Sequence, residues 1–291
     1  MATETEGHYI LNRDATESTR LDEQHTLLTE LAGGSPIHSR IAIDNIHAIA
    51  DIATGTGVWL KHICTLLKDI PTDRPRYFHG FDISDSQFPR EHAGIHFSVQ
   101  DITKPFSDAH LNRYDLVHVR LLFCGLKKSE YEIAVANLMT LLKPGGFLQW
   151  DEIDYHALTQ LNQENPRFFE IMKIVNDGLN SAQYSDSAPK LLKQTFKRKG
   201  LVKITSHDYV SSEQPRSAEI MQKWLHNALR MLIPWALETS EKEKGVDSTN
   251  QKSANEIIKE MGTIFAAKLV PRGEVSVVVG QKKGQTFCSI L

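Results

Sequence analysis

Cysteine is scarce in these 291 residues: Cys64, Cys124 and Cys288 stand far apart and are odd in number. They supply neither a Cys-x-x-Cys pair nor a complete disulfide framework, and read as reduced side chains of a cytoplasmic protein. Charge of one sign is lacking too. Lys plus Arg is 33 against 36 for Asp plus Glu, a formal net charge of −3. Without a basic excess there is no large phosphate-neutralising term, so no nucleic-acid partner is expected. No apolar run reaches the roughly 18 residues of a membrane span. Met1 to Asp14 is polar and acidic, which speaks against a secretory leader. Thirteen histidines raise the question of a metal. There is no His-Glu-x-x-His, and His92 and His96 merely bracket a glycine in a loop entering a strand. No metal is assigned.

What remains is a composition that buries a sizeable core, 41% hydrophobic and 24% charged. Glu17 to Leu31 reads as a helix, with Arg20, Gln24, Leu27 and Leu31 on one face and Gly33-Gly34 as its stop. Strands are predicted at Ala48 to Ile52, Tyr77 to Asp82, Ile95 to Gln100, Tyr114 to Val119 and Phe147 to Trp150. Helices at Val58 to Lys68 and Ser129 to Leu142 alternate with them, and Lys143-Pro144-Gly145-Gly146 reads as a turn. Further on come helical patterns around Phe168 to Val175, Ala188 to Lys199, Ala218 to Leu237 and Asn255 to Leu269, with strands at Leu201 to Val210 and Val275 to Val279. Glu238 to Ser253 reads as a mobile polar loop, and Pro234 should kink or end its helix. The alternation predicts an α/β fold, a doubly wound, mostly parallel seven-stranded sheet. Residues 1–46 form an N-terminal helical lid, 47–155 the core, and 156–291 the rest of one continuous fold. Helical cap insertions are expected at about 156–187 and 213–271, the latter before the last strand.

Asp51-Ile52-Ala53-Thr54-Gly55-Thr56-Gly57 carries the most chemical information. A strand ending in a glycine turn before a helix lets backbone approach a ligand and points free N–H groups at it. Asp82, 25 positions after Gly57, ends the second strand, where a carboxylate accepts both hydroxyls of a ribose. A dinucleotide fingerprint needs a third glycine where Leu60 stands, and no Tyr-x-x-x-Lys pair of short-chain dehydrogenases is present.

The spacing of Asp51, Ala53, Gly55 and Gly57 instead resembles the first motif of class I S-adenosylmethionine methyltransferases, with Ala53 in place of the first glycine. Asp82-Ile83-Ser84, Gln100-Asp101-Ile102 and Leu141 to Gly146 resemble further motifs, so the likeness covers roughly residues 45–155. Arg20 to His25, Ala53 to Trp59, Phe81 to Ser84, His118-Val119-Arg120 and Leu148 to Glu152 look like fungal secondary-metabolite methyltransferases of the gliotoxin bis-thiomethyltransferase type. The resemblance implies a Rossmann-like methyltransferase fold and S-adenosylmethionine as cofactor, with S-adenosylhomocysteine as product. It implies cofactor contacts from Arg20, Gln24, Asp51, Ala53, Thr54, Gly55, Gly57, Trp59, Asp82, Ile83, Gln100, Asp101, Ile102, His118, Val119 and Arg120. For Arg20 and Gln24 a helix-surface salt bridge is the competing reading, and for Arg120 an ion pair with Asp51 or Asp151.

Just past the fifth strand, Asp151, Glu152, Asp154 and His156 are candidate bases. His156 is the catalytic choice because its ordinary pKa lies near neutrality, whereas Asp151 and Glu152 are expected to stay ionised as structural partners. Phe168, Met172 and Trp224 are candidate walls of a pocket for a small hydrophobic acceptor bearing a thiol, amine or hydroxyl. Two alternatives keep the cofactor: a regulatory or scaffold protein without methyl transfer, and a relative using the sulfonium electrostatically. Oligomeric state is not readable.

Overall fold

Ala48–Ile52 (β1) is apolar but for Asp51 and buried along its whole length, as a strand must be when parallel neighbours and helices cover both its edges and faces. The computed structural model describes residues 15–91, 94–211, 217–244, 250–267 and 272–284; His92 and Cys288 lie outside them. Around β1 stand Tyr77–Asp82 (β2), Ile95–Val99 (β3), Tyr114–Arg120 (β4), Leu142–Glu152 (β5), Val202–Val210 (β6) and Glu274–Gln281 (β7). Their order is β3-β2-β1-β4-β5-β7-β6. The first five run parallel, and β7 lies antiparallel between β5 and β6. The expected seven-stranded, mostly parallel sheet is what the chain forms.

Helices Ala15–Leu31 (α1), Val58–Leu67 (α2), Tyr131–Leu141 (α3), Tyr155–Leu161 (α4), Pro166–Ser181 (α5), Ala188–Lys199 (α6), Ser217–Lys244 (α7) and Asn250–Ala266 (α8) complete the described fold. Gly33 and Gly34 both take positive φ, and the Gly34 N–H returns to the Thr29 carbonyl at 2.8 Å, closing α1. The strand order reverses between β1 and β4, so their carboxyl ends open the crevice where doubly wound sheets hold ligands. Helix α1 packs on α2 and α7, while α5, α7 and α8 pack on one another.

Two local expectations are corrected and one, for Pro234, is narrowed. The polar stretch from Glu238 is not a loop throughout: α7 continues to Lys244 and α8 starts at Asn250, with 245–249 outside the described residues. Pro234 lies inside α7 without ending it. The lost backbone bond is offset by burial on either side, since Leu232, Ile233 and Ala236 all sit in the core. Lys143-Pro144-Gly145-Gly146 is a bulge within β5, where the register against β4 shifts. Gly145 takes a φ of +84° there, and Gly145 and Gly146 exchange backbone bonds with Lys282. Helix α4 has too little apolar periodicity to be read from sequence; Asp154 caps it, accepting from the Ala157 N–H at 2.8 Å.

Candidate active site

A cleft of about 460 Å³ opens over the carboxyl ends of β1, β2 and β4. Its floor is the glycine turn Ala53 to Thr56 with Val58, its flank Asp82, Ile83 and Gln87, and one end the loop Gln100 to Lys104. The segment Arg120 to Leu126 forms the opposite wall. Arg20, Leu21 and Gln24 from α1 and Trp224, Ala228, Met231 and Leu232 from α7 also line it.

Backbone conformation shapes the floor. Ala53 (φ +55°) and Gly55 (φ +50°) lie in the left-handed region, so the alanine accepts a conformation that costs a side-chain-bearing residue about 1 kcal/mol. The Gly55 N–H donates to Asp82 Oδ2 at 2.9 Å, and a Cβ on Gly55 would stand 3.0 Å from Leu21 Cδ1 of α1. The turn is therefore pressed between β2 and the N-terminal helix. The Thr56 hydroxyl donates to Asp22 of α1 at 2.7 Å, and Lys223 of α7 pairs with Glu23 of α1 at 2.9 Å. Both contacts seat α1 over the cleft.

Of the residues expected at the cofactor, Arg20, Gln24, Ala53, Thr54, Gly55, Asp82, Ile83, Gln100, Asp101, Ile102 and Arg120 line the cleft. Asp51, Gly57, Trp59, His118 and Val119 do not. Asp51 is buried beneath the turn and accepts from the Thr54 hydroxyl at 2.7 Å. Gly57 starts α2 in a left-handed conformation, and its missing Cβ leaves room for Phe97, which a Cβ would meet at 2.7 Å. Trp59 stacks on His118, with centroids 3.8 Å apart, and donates to the Pro36 carbonyl. Val119 points into the core. These five support the site from behind.

The cleft's polar residues are largely pre-engaged. Glu17 grips Arg20 through two bonds of 2.7 and 2.6 Å, and Arg20 Nη1 donates to Gln24 Oε1 at 2.8 Å. Both the salt-bridge reading and a place at the cleft thus hold for Arg20. Asp101 Oδ1 accepts from the Thr103 N–H and hydroxyl, and Gln100 Nε2 donates to the Asp101 carbonyl, so the two fix their own loop. Arg120 makes no carboxylate salt bridge among the described residues; its Nη1 donates to His25 Nδ1 at 2.9 Å. Asp51 and Asp151 both face His118 instead, at 2.7 and 3.2 Å. Burial alone would lower the His118 imidazole, but the carboxylates Asp151 and Asp51 outweigh it and raise its pKa.

The base candidates fall elsewhere. His156 is exposed on α4 and does not line the cleft, because Tyr155, Leu158 and Thr159 take the buried face of that helix. Glu152 is wholly buried outside the cleft, and burial raises its pKa to about 8 against the bonds from the Ile153 and Leu122 N–H groups. Burial thus works against the ionised state expected of Glu152, while the N–H groups that its oxygens accept favour it. Phe168 and Met172 are fully buried in α5, with Phe168 against Phe265 and Met172 against the Tyr155 hydroxyl, and leave Trp224 as the expected wall residue that is present. Sequence reasoning missed Gln87, Met231 and the run Leu121 to Leu126. Gln87 and Leu121 to Leu126 follow the ends of β2 and β4, and Met231 stands seven positions after Trp224 on α7, on the same helix face.

No family model matches the chain. It is similar to the methyltransferase grgD of a Penicillium species, 41% identical over 152 residues that cover 51% of this chain and 53% of that protein. It is similar to the N-methyltransferase gliN of Aspergillus fumigatus, 28% identical over 205 residues covering 69% and 70%. The N-methyltransferase sirN of Leptosphaeria maculans is 34% identical over 145 residues, covering 50% and 49%. The chain thus matches about half the length of grgD and sirN. With a seven-stranded, mostly parallel sheet, and with the glycine turn bonded to the acid ending the next strand, the chain is similar over the matched residues to these fungal methyltransferases.

Proposed function

We propose that this protein is an S-adenosylmethionine-dependent methyltransferase acting on a thiol, amine or hydroxyl of a small hydrophobic natural product. The observation that carries the reading is one cleft with two chemically distinct linings: the glycine turn bonded to Asp82, and the apolar side chains of Leu121, Leu122, Phe123, Trp224, Met231 and Leu232.

The residues present fit an adenosine bearing a sulfonium tail. Asp82 accepts the Gly55 N–H on Oδ2 and the Ser84 N–H on Oδ1, which fixes the carboxylate in the cleft wall, and a carboxylate is the acceptor that ribose hydroxyls need. Ile83 and Ile102 offer apolar surface to a base. Gln24, its oxygen already taken by Arg20, has its amide N–H groups left to donate, and Arg120 supplies positive charge for a carboxylate. The cofactor supplies an activated methyl group whose transfer discharges the sulfur. The protein's work is then to align the acceptor with that methyl and exclude water. Helices α1 and α7 cover the crevice for this purpose. Two of the relatives are named N-methyltransferases, which favours nitrogen as the atom methylated.

The test is incubation of the purified protein with methyl-labelled S-adenosylmethionine and a panel of amine, thiol and phenol natural products. Transfer of label with release of S-adenosylhomocysteine is expected. Trp224→Ala should raise the KM for the acceptor about tenfold, with cofactor KM nearly unchanged. Cofactor binding without transfer to any of the panel counts against the methyltransferase reading in favour of a regulatory one.

A further inference from the structure

We propose that His25 is the positioning residue for Arg120, an uncharged acceptor that aims the guanidinium into the cleft without neutralising it. The inference rests on the methyltransferase reading and deepens it at the amino-acid end of the cofactor. Two sequence segments singled out separately end on these residues: Arg20 to His25 on α1, and His118-Val119-Arg120 at the end of β4. The fold brings those ends together at 2.9 Å.

The proton arrangement follows from chemistry. Arginine has donors and no acceptor, so His25 Nδ1 must be bare and the ring proton must sit on Nε2. That nitrogen lies 2.9 Å from His62 Nδ1 on α2, which accepts it. A single buried imidazole therefore ties the lid helix to the sheet on one side and to α2 on the other. Burial, then the neighbouring charge of Arg120, lowers its pKa to about 3, in keeping with a neutral ring.

The carboxylates near Arg120 are directed elsewhere. Asp51 and Asp151 both face His118, and no carboxylate among the described residues lies within salt-bridge distance of Arg120. A carboxylate at position 25 would hold Arg120 firmly but cancel its charge. A neutral imidazole fixes direction and leaves that charge for an anionic group. Gln24, the preceding residue, lines the same cleft, so seating His25 also seats Gln24.

The experiment compares S-adenosylhomocysteine with 5′-methylthioadenosine, which lacks the amino-acid end, by calorimetry on the full chain. His25→Leu removes the acceptor; in His25→Asn the side-chain oxygen falls near the place of Nδ1. His25→Leu should weaken S-adenosylhomocysteine about tenfold and leave 5′-methylthioadenosine unchanged, while His25→Asn restores affinity to within about threefold. Equal loss of both ligands, no loss of either, or failure of Asn to rescue overturns the inference. Histidine nitrogen NMR of the unsubstituted protein gives a reading that does not depend on how the variants fold. The Nε2–H tautomer of His25 is expected, and an Nδ1–H tautomer contradicts the geometry. If the unsubstituted protein binds neither compound, the methyltransferase reading itself fails, a result distinct from the others.

Discussion

His118 and Asp51 are register partners across β4 and β1, and Nδ1 of the one lies 2.7 Å from Oδ1 of the other. With Nε2 facing Asp151, both ring nitrogens meet carboxylates, an arrangement suited to an imidazolium donating twice. The raised folded-state pKa makes this a pH-dependent tie. Its stabilisation is fully present below the unfolded histidine value of 6.5 and is lost as pH rises through the folded value. His118→Gln should cost about 3–5 kcal/mol at pH 6, because it leaves a buried carboxylate short of a partner. Urea unfolding from pH 6 upward should show a flatter pH dependence in the variant; parallel curves would refute the imidazolium.

Glu152 shifts in the same direction for a different reason. Burial raises its pKa from 4.5 to about 8, so its contribution is fully present below pH 4.5 and is lost as pH rises through 8. Glu152→Gln, a neutral mimic, should gain about 4 kcal/mol relative to the parent between pH 5 and pH 8.5. Denaturant titrations at those two pH values measure the difference. No relative gain would mean that the buried carboxyl stays ionised and paired.

Two glycines of the turn separate binding from stability. Gly57→Ala drives a Cβ to 2.7 Å from Phe97 Cζ at a φ of +68°, and should destabilise the fold by about 1–3 kcal/mol. Gly55→Ala meets Leu21 of α1 at 3.0 Å, the far end of a flexible side chain. Its main effect should be on cofactor affinity, lowered about tenfold, with a smaller change in melting temperature. Thermal melts and calorimetry on both variants decide; the opposite pattern would mean that the α1 contact at Gly55 does not govern binding.

His156→Ala should leave turnover within about twofold of the parent, since the ring is exposed on α4 away from the cleft. A large loss of kcat with unchanged cofactor affinity would return His156 to the chemistry.

What could be read from the sequence was the part written locally. The glycine turn, Asp82 and the alternation of strands and helices depend on near neighbours, and all three stand where expected. The misplacements share a cause: facing direction is set by tertiary contacts. Asp51 and Gly57 belong to the right motif but point beneath the turn and toward Phe97. Phe168 and Met172 show the periodicity of a pocket wall and of a core face alike, and the core claims them. His25 and Arg120 stand 95 positions apart, and nothing local links them.

The central claim is that the glycine turn and Asp82 cradle an adenosine with a charged tail, and calorimetric titration of S-adenosylhomocysteine into the parent and Asp82→Ala tests it most directly. One binding site per chain is predicted, with affinity falling about 100-fold in the variant as the carboxylate that meets both ligand and turn is lost. No heat from the folded parent, or equal affinity in the two proteins, would contradict it.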